Sequence, residues 1–154
     1  MFKKILVCLD GSQLAEKILP YAIEQAEHFD SEMVLFRVFS EPPIISVALP
    51  GMPGVPLETR SPERYLKDQN EVERYLKTLT EKILAEKKLT ITYDKAEGAA
   101  GPTIIDYYRK HEIELIAIAT HGRSGPGRVI LGSVADHVIR HSSIPLLLIR
   151  PIED

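Results

Sequence analysis

The stretch Leu115–Ser133, LIAIATHGRSGPGRVILGS, decides the fold. It begins with LIAIA, the most apolar run of the chain, which predicts a buried strand. The loop that follows contains four glycines and two arginines, and a helix is predicted from Ser133. Glycines let backbone N–H groups approach a ligand closely, and a helix start adds partial positive charge. The stretch therefore predicts a cradle for phosphate.

Other apolar runs outside this stretch predict four more strands, at 4–9, 33–39, 89–93 and 145–149. Apolar residues at helical spacing predict four helices, which start near Ser12, Glu63, Gly101 and Ser133. Ser12 is the expected N-cap of the first helix. Ser133, with Asp136 three residues on, is the expected cap of the last. The chain thus alternates strands with helices.

This alternation of apolar strands and helices predicts a parallel sheet covered on both faces. We expect an α/β fold with an open, doubly wound five-stranded parallel sheet in the order 3-2-1-4-5, because right-handed crossovers leave few other connections. Ligands of such sheets bind at the carboxyl ends of the strands, beside the point where the order reverses. Asp10 and the loop at Gly122 would then face each other across one crevice.

Residues 41–62, EPPIISVALPGMPGVPLETRSP, interrupt the alternation with six prolines and two glycines. Such a long connection is functional or disordered in compact domains. We expect a surface excursion here. The alternative is a lid or partner-contact segment, because Ile44, Ile45 and Val47 are apolar for a solvated linker. The chain is interpreted as a single domain over 1–154 with a Pro-rich insertion at about 41–62.

Composition excludes several classes of protein. The net charge of −3, with both signs interspersed, argues against binding to nucleic acid or to an anionic membrane. Every apolar run is too short to span a bilayer. Cys8 is the only cysteine, so an internal disulfide and a cysteine metal cluster are impossible. These features predict a cytoplasmic protein.

The glycine-rich loop fails two familiar nucleotide motifs. A P-loop would need lysine at Arg128 and serine or threonine at Val129, the latter to hold magnesium. A dinucleotide fingerprint would need a third glycine three residues after Gly127, where Ile130 stands.

A third pattern fits, because Gly122 is followed after nine residues by Gly132-Ser133. This spacing resembles the universal stress protein family signature, G-x-x-G-(nine residues)-G-[S/T], with Ala119 in place of the first glycine. KKILVCLDGS, VLFRVF and SSIPLLLIRP resemble the first, second and last strands of the family. The resemblance implies an adenine nucleotide alpha hydrolase-like fold that binds ATP, with or without Mg²⁺, and is often a homodimer.

The resemblance also implies a set of binding residues. Asp10 would lie near the adenosine, and Val38 would flank the adenine. The loop arginine Arg123 is suited to phosphate oxygens by its own chemistry. The full predicted nucleotide site consists of Cys8, Leu9, Asp10, Val38, Ile118, Ala119, His121, Gly122, Arg123, Gly132, Ser133 and Val134.

Catalytic and metal-binding residues are not predicted. His121 has no nucleophile beside it, and His137 and His141, at helical spacing, lack the glutamate of a zincin motif. Cys8 is expected to be a small buried strand residue, or a redox-sensitive thiol if it lines the pocket. The last strand, Pro145–Ile149, is apolar and predicts a homodimer through antiparallel pairing with a second copy.

Three functions compete at this point. The leading hypothesis is a regulatory ATP-binding protein of the stress response, which acts on an unidentified regulatory partner and hydrolyses ATP slowly or not at all. The second is an adenylating or pyrophosphatase-type enzyme on a related fold, which LDGS at the first turn faintly resembles. The third, a receiver domain, lacks the paired acids expected beside Asp10.

Overall fold

The computed structural model describes residues 1–39, 44–47, 55–58, 62–120 and 132–151. These residues form seven strands and five helices. The strands are β1 (Lys4–Leu9), β2 (Glu32–Phe39), β3 (Ile44–Val47), β4 (Val55–Glu58), β5 (Thr90–Glu97), β6 (Leu115–Ala119) and β7 (Leu146–Ile149). The helices are α1 (Gln13–Glu16), α2 (Leu19–Phe29), α3 (Pro62–Glu86), α4 (Ala100–Lys110) and α5 (Ser133–His141). Among the described residues, no helix is long and apolar enough to cross a membrane.

The main sheet has five parallel strands in the order β5-β2-β1-β6-β7. Counted along the chain without the short pair β3 and β4, this is the predicted order 3-2-1-4-5, and the prediction of the fold is confirmed. β1 is the central strand. It pairs with β2 on one side, Leu9 opposite Arg37, and with β6 on the other, Cys8 opposite Ile118. The reversal of strand order falls between β1 and β6.

The first predicted helix is split into α1 and α2. Ser12 caps α1 as expected, because its hydroxyl accepts a hydrogen bond from the Ala15 backbone N–H at 3.1 Å. Pro20 lies in the first turn of α2, where a backbone N–H would have no partner within the helix. In the interior of one continuous helix, Pro20 would instead remove a hydrogen bond. Tyr21, the next residue of α2, is 52% exposed. The expectation of one continuous helix was wrong because Pro20 would interrupt the hydrogen bonds of such a helix.

The Pro-rich segment contains regular structure that the sequence interpretation lacked. β3 and β4 pair in an antiparallel two-stranded sheet, with Ile44 opposite Glu58 and Val47 opposite Val55. The β-branched run of β3 favours a strand. Pro56 is tolerated because a two-stranded sheet consists of edge strands only. The sequence analysis predicted no strands at 44–47 and 55–58, and the structure adds them there.

Alternate residues of the main strands build two separate cores. The closed face carries Ile5, Val7, Met33 and Leu35 and packs against α1, α2 and α3; Leu76 of α3 is fully buried there. The open face carries Leu6, Cys8, Val34, Phe36, Ile116 and Ile118 and packs against α4 and α5. This division follows from the two-residue period of a strand. On the open face, a site can therefore form at the strand ends, between the sheet and helices α4 and α5.

Candidate nucleotide-binding site

A cavity of about 470 Å³ lies on the open face at the carboxyl ends of β1 and β6. Its volume falls within the range of small-molecule sites. Its position beside the reversal of strand order is the one that doubly wound sheets use for ligands. The lining residues are Cys8, Leu9, Asp10, Ala15, Phe36, Val38, Ala100, Ile104, Ile118, Ala119, Thr120, Gly132, Ser133, Val134 and Ala135.

Most of the residues predicted from the sequence line this cavity. β1 and the following turn contribute Cys8, Leu9 and Asp10, and β2 contributes Val38. β6 contributes Ile118 and Ala119, and the start of α5 contributes Gly132, Ser133 and Val134. His121, Gly122 and Arg123 lie outside the described residues. The structure thus brings together residues that are more than 120 positions apart in the chain, Cys8 of β1 and Val134 of α5.

Several lining residues were not predicted. Phe36 forms part of the cavity wall, and its ring packs on Tyr107 with 4.1 Å between centroids. Thr120, which follows β6, is 2% exposed, and its N–H donates to the Ile149 carbonyl at 2.9 Å. The others are small or aliphatic, and such side chains carry no chemical signal in a sequence: Ala15, Ala100, Ile104 and Ala135. The one available signal was position, since Ala100 starts a helix after a strand.

Asp10 is the one carboxylate among the described lining residues. Its side chain is exposed at the cavity rim, and its Oδ1 atom accepts a hydrogen bond from the Ser12 backbone N–H at 2.8 Å. The sequence left two roles open for Asp10, a turn contact and a ligand contact. The structure shows the turn contact and also places the residue at the cavity.

Two helices begin at the cavity, and neither start has a side-chain cap. Gly132 is the N-cap of α5 and its carbonyl accepts from the Asp136 N–H, while Ala99 is the N-cap of α4. The expectation that Ser133 caps α5 was wrong, because Ser133 is already the first helical residue and lies exposed at the cavity. Helix starts without caps leave backbone N–H groups for another acceptor.

The wall below Asp10 is apolar. Phe36, Ile104 and Ile118 are almost completely buried, and Cys8 is 6% exposed. Burial raises the pKa of the Cys8 thiol from 9.0 to about 12. Because the thiolate is the reactive form, this shift lowers the reactivity of the thiol at neutral pH. Cys8 is buried in its strand as expected, and since it also lines the cavity, its redox sensitivity stays a prediction.

Asp10 is the only carboxylate in the described lining, which contains no histidine or lysine that could act as a general base. Within residues 1–39, 62–120 and 132–151, no three His, Cys, Asp or Glu side chains come together in a way that could hold a metal ion. His137 and His141 stack at 4.1 Å between centroids on α5, in contact with each other. The site is therefore an apolar pocket with a carboxylate at one rim and helix starts at the other, an arrangement that suits a ligand with a flat apolar part and an anionic part.

Known proteins share this fold. The universal stress protein family (Usp) matches residues 1–150, and the chain belongs to that family. Universal stress protein YxiE of Bacillus subtilis is 30% identical over 155 residues, which cover 97% of this chain and 100% of YxiE.

Two solved structures share the fold. A universal stress protein in complex with cAMP superposes with a TM-score of 0.69 at 15% identity, covering 97% of each chain. A universal stress protein family protein from Arabidopsis thaliana with AMP bound gives a TM-score of 0.63 at 15% identity, covering 99% of this chain and 94% of that one.

Proposed function

We propose that this chain binds ATP, with or without Mg²⁺, in the cavity at the strand ends, and acts as a regulatory or sensing module of the stress response. The observation that carries the proposal is one cavity that combines an apolar wall, Asp10 and the start of α5. The bound cAMP and AMP in two structural relatives support an adenine nucleotide as the ligand class. The proposal takes residues 1–154 as one cytoplasmic domain.

The apolar wall is the proposed adenine subsite. Phe36 of β2 and Ile118 of β6 are buried side chains on the open face. Val38 lies half-buried near the end of β2. Transfer of a flat aromatic base from water to such a surface is favourable by about 25 cal/mol per Å² of apolar area. Since Cys8 remains protonated, the wall carries no charge that would oppose a neutral base.

The two rims of the cavity suit the other parts of the nucleotide. Asp10 at the first rim offers carboxylate oxygens that accept hydrogen bonds from ribose hydroxyls. At the second rim, the uncapped start of α5 and the exposed Ser133 hydroxyl offer donors for phosphate oxygens. His121, Gly122 and Arg123 remain predicted contacts on this phosphate side.

We propose binding rather than fast turnover because the described lining offers no base other than Asp10, whose Oδ1 already accepts the Ser12 N–H. The P-loop lysine and the serine or threonine that hold phosphate and magnesium in phosphoryl transfer enzymes are replaced by Arg128 and Val129 in the sequence. Hydrolysis, where it occurs, is expected to be slow.

The test is calorimetric titration with ATP, followed by identification of the nucleotide that stays bound after hours with Mg²⁺. Wild-type protein is expected to retain ATP. Ala100→Leu places a larger side chain in the cavity and is expected to weaken binding by about a hundredfold, equivalent to roughly 2.7 kcal/mol. Ala85→Leu makes the same exchange at an exposed position of α3 and is the matched control.

Equal ATP affinity in both leucine variants would contradict the site. Rapid release of AMP and pyrophosphate by the wild type would instead favour the adenylating or pyrophosphatase-type enzyme.

The regulatory part of the proposal includes a homodimer. β7 lies at an edge of the main sheet, and Leu148 within it is 37% exposed. Exposed apolar edge strands associate unless they are covered, and pairing with the same strand of a second copy covers both. Sedimentation at micromolar concentration is expected to show a dimer for the wild type and a monomer for Leu148→Glu. Leu66→Glu, at a 55% exposed position of α3, should remain dimeric.

A further inference from the structure

Arg37 lies on β2 on the closed face of the sheet, opposite to the cavity, yet its guanidinium reaches the turn that carries Asp10. A Cβ atom added to Gly11 would lie 2.5 Å from Nη1 and 2.7 Å from Cζ of Arg37. The guanidinium therefore occupies the space directly against the Gly11 backbone. Gly11 has φ of +87°, a conformation that side-chain-bearing residues rarely adopt.

The ring of Tyr75, on α3, also contacts this guanidinium. The Cζ atom of Arg37 lies 5.3 Å from the centroid of the Tyr75 ring, within the range of a cation–π contact. The Tyr75 hydroxyl donates to Oε1 of Glu16 at 2.9 Å, and Glu16 lies on α1. Strand β2 and helices α1 and α3 thus meet underneath the Asp10–Gly11–Ser12 turn.

Charged side chains of both signs surround the Tyr75 ring. Burial raises the pKa of Tyr75 most, the hydrogen bond to Glu16 and the charges of Glu16 and Asp10 raise it further, and Arg37 opposes them. The Tyr75 hydroxyl therefore stays protonated and remains a donor at neutral pH. Arg37 is the cation placed among two carboxylates and the ring, in a half-buried position.

We propose that Arg37, held in place by Tyr75, is a positioning residue that fixes the Asp10 turn and so aims the Asp10 carboxylate at the ribose hydroxyls of the nucleotide. This inference rests on the proposed function. Arg37 is not among the residues that line the cavity. It acts through Gly11, whose lack of a side chain lets the planar guanidinium lie against the backbone.

The Asp10–Gly11–Ser12 turn packs against this guanidinium at Gly11. Asp10 and Gly11 are exposed, and the Ser12 N–H donates to Asp10 Oδ1 at 2.8 Å within the turn, so the direction of the carboxylate follows the conformation of the turn. When the guanidinium is removed, Gly11 regains conformational freedom and the carboxylate samples other directions. The adenine and phosphate subsites, on the other face of the sheet, are left unchanged.

The experiment compares ATP with 2′-deoxy- and 3′-deoxy-ATP on full-length protein by calorimetry. Wild type is expected to bind ATP about tenfold more tightly than at least one deoxy analogue, as for a hydrogen bond to a charged group. Arg37→Met keeps the length of the side chain and removes the charge and the planar group. It is expected to lose this preference, with deoxy-ATP affinity unchanged and ATP affinity lowered about tenfold.

Arg109→Met is the matched control, because Arg109 also lies over a tyrosine ring, that of Tyr108 at 5.7 Å, on α4. It should keep the wild-type preference for the ribose hydroxyl. Tyr75→Phe keeps the ring and loses the bond to Glu16, and is expected to lie between wild type and Arg37→Met. Arg37→Lys, which restores the charge but not the plane, should recover part of the preference.

A second measurement works without nucleotide. Hydrogen exchange of the Ser12 amide is expected to be about tenfold faster in Arg37→Met than in wild type, and unchanged in Arg109→Met.

Two results for Arg37→Met would overturn the positioning role. One is a preference for the ribose hydroxyl as large as that of the wild type, and the other is an unchanged hydrogen-exchange rate of the Ser12 amide. An equal loss of affinity for ATP and both analogues, together with lower stability, would show that Arg37 is only structural and would overturn it too. A wild-type protein that binds no adenine nucleotide would overturn the proposed function itself, and the aiming of Asp10 with it.

Discussion

The two faces of the sheet use the same strands for different purposes. On the closed face, large side chains such as Leu76 and Met33 fill the space up to the long helix α3. On the open face, the helices start with small residues, Ala100 and Gly101 in α4 and Gly132 and Ser133 at α5. The small residues leave a cavity at the strand ends. Neighbouring residues of one strand therefore contribute to stability on the closed face and to a binding site on the open face.

The largest expected effect is the loss of a core side chain on the closed face. Leu76→Ala removes a side chain that is fully buried. It is expected to lower the free energy of unfolding by about 2–5 kcal/mol, measured by denaturant titration. ATP affinity, measured where the variant is folded, should not change. Leu84→Ala, at a 44% exposed position of the same helix, should cost no more than about 0.5 kcal/mol. Loss of ATP affinity in folded Leu76→Ala would break the division between faces.

The second effect tests the close approach of α4 and α5 on the open face. A Cβ atom at Gly101 would lie 2.7 Å from Cγ and 2.8 Å from Cβ of His137. Gly101→Val should therefore cost about 1–3 kcal/mol in the free energy of unfolding through overpacking. Combination with His137→Ala removes the ring but leaves the Cβ atom of residue 137 in place, so it is expected to restore part of the loss. Should the double variant be less stable than Gly101→Val alone, this contact is not the cause.

The third effect is a pH dependence that belongs to the open face. The folded-state pKa of Cys8 is about 12, above its ordinary value of 9.0, so the folded protein holds the thiol proton more tightly than the unfolded chain. The stability from this difference is complete below about pH 9 and is lost as the pH rises towards 12, at about 1.4 kcal/mol per pH unit. The difference in unfolding free energy between wild type and Cys8→Ala, measured at about pH 8 and about pH 10, should show this slope. Parallel curves would mean that the thiol is not buried as described.

The smallest effect concerns the departure from the family signature at Ala119. This residue ends β6 in regular pairing opposite Ile149 and is not among the described non-glycine residues with positive φ. It needs no glycine conformation. Ala119→Gly is therefore expected to cost about 0.5–1 kcal/mol of stability, from the greater freedom of the unfolded chain. ATP affinity should change by less than about threefold, which is below 1 kcal/mol. A large gain in affinity would show that the alanine restricts the site.

The sequence predicted the strands that are buried on both sides most closely. β1 and β6 have the predicted bounds, because continuous apolar runs that end in turn residues leave little choice. β5 runs four residues further than predicted, to Glu97, since an edge strand tolerates exposed polar residues such as Asp94. The order of strands followed from the handedness of crossovers, which is a property of the chain and not of its side chains.

The site was predictable where residues carry chemistry and not where they provide shape. Asp10 and Ser133 stand out in the sequence because carboxylates and hydroxyls contact ligands, and both line the cavity. Ala135 and Ile104 are indistinguishable from core residues until the helices are in place. Arg37 was missed for a different reason: its role depends on Gly11 and Tyr75, which the topology brings together from three separate segments.

The cavity draws its walls from five separate segments, around residues 8–15, 36–38, 100–104, 118–120 and 132–135. A nucleotide held there would bridge segments from residue 8 to residue 135, so its binding free energy would add to the stability of the fold. At a hundred times its dissociation constant, a ligand that binds only the folded state adds about 2.7 kcal/mol. Proteolytic turnover of this protein would then slow as cellular ATP rises. The abundance of the protein would then follow the ATP concentration, with no chemical reaction needed at the site.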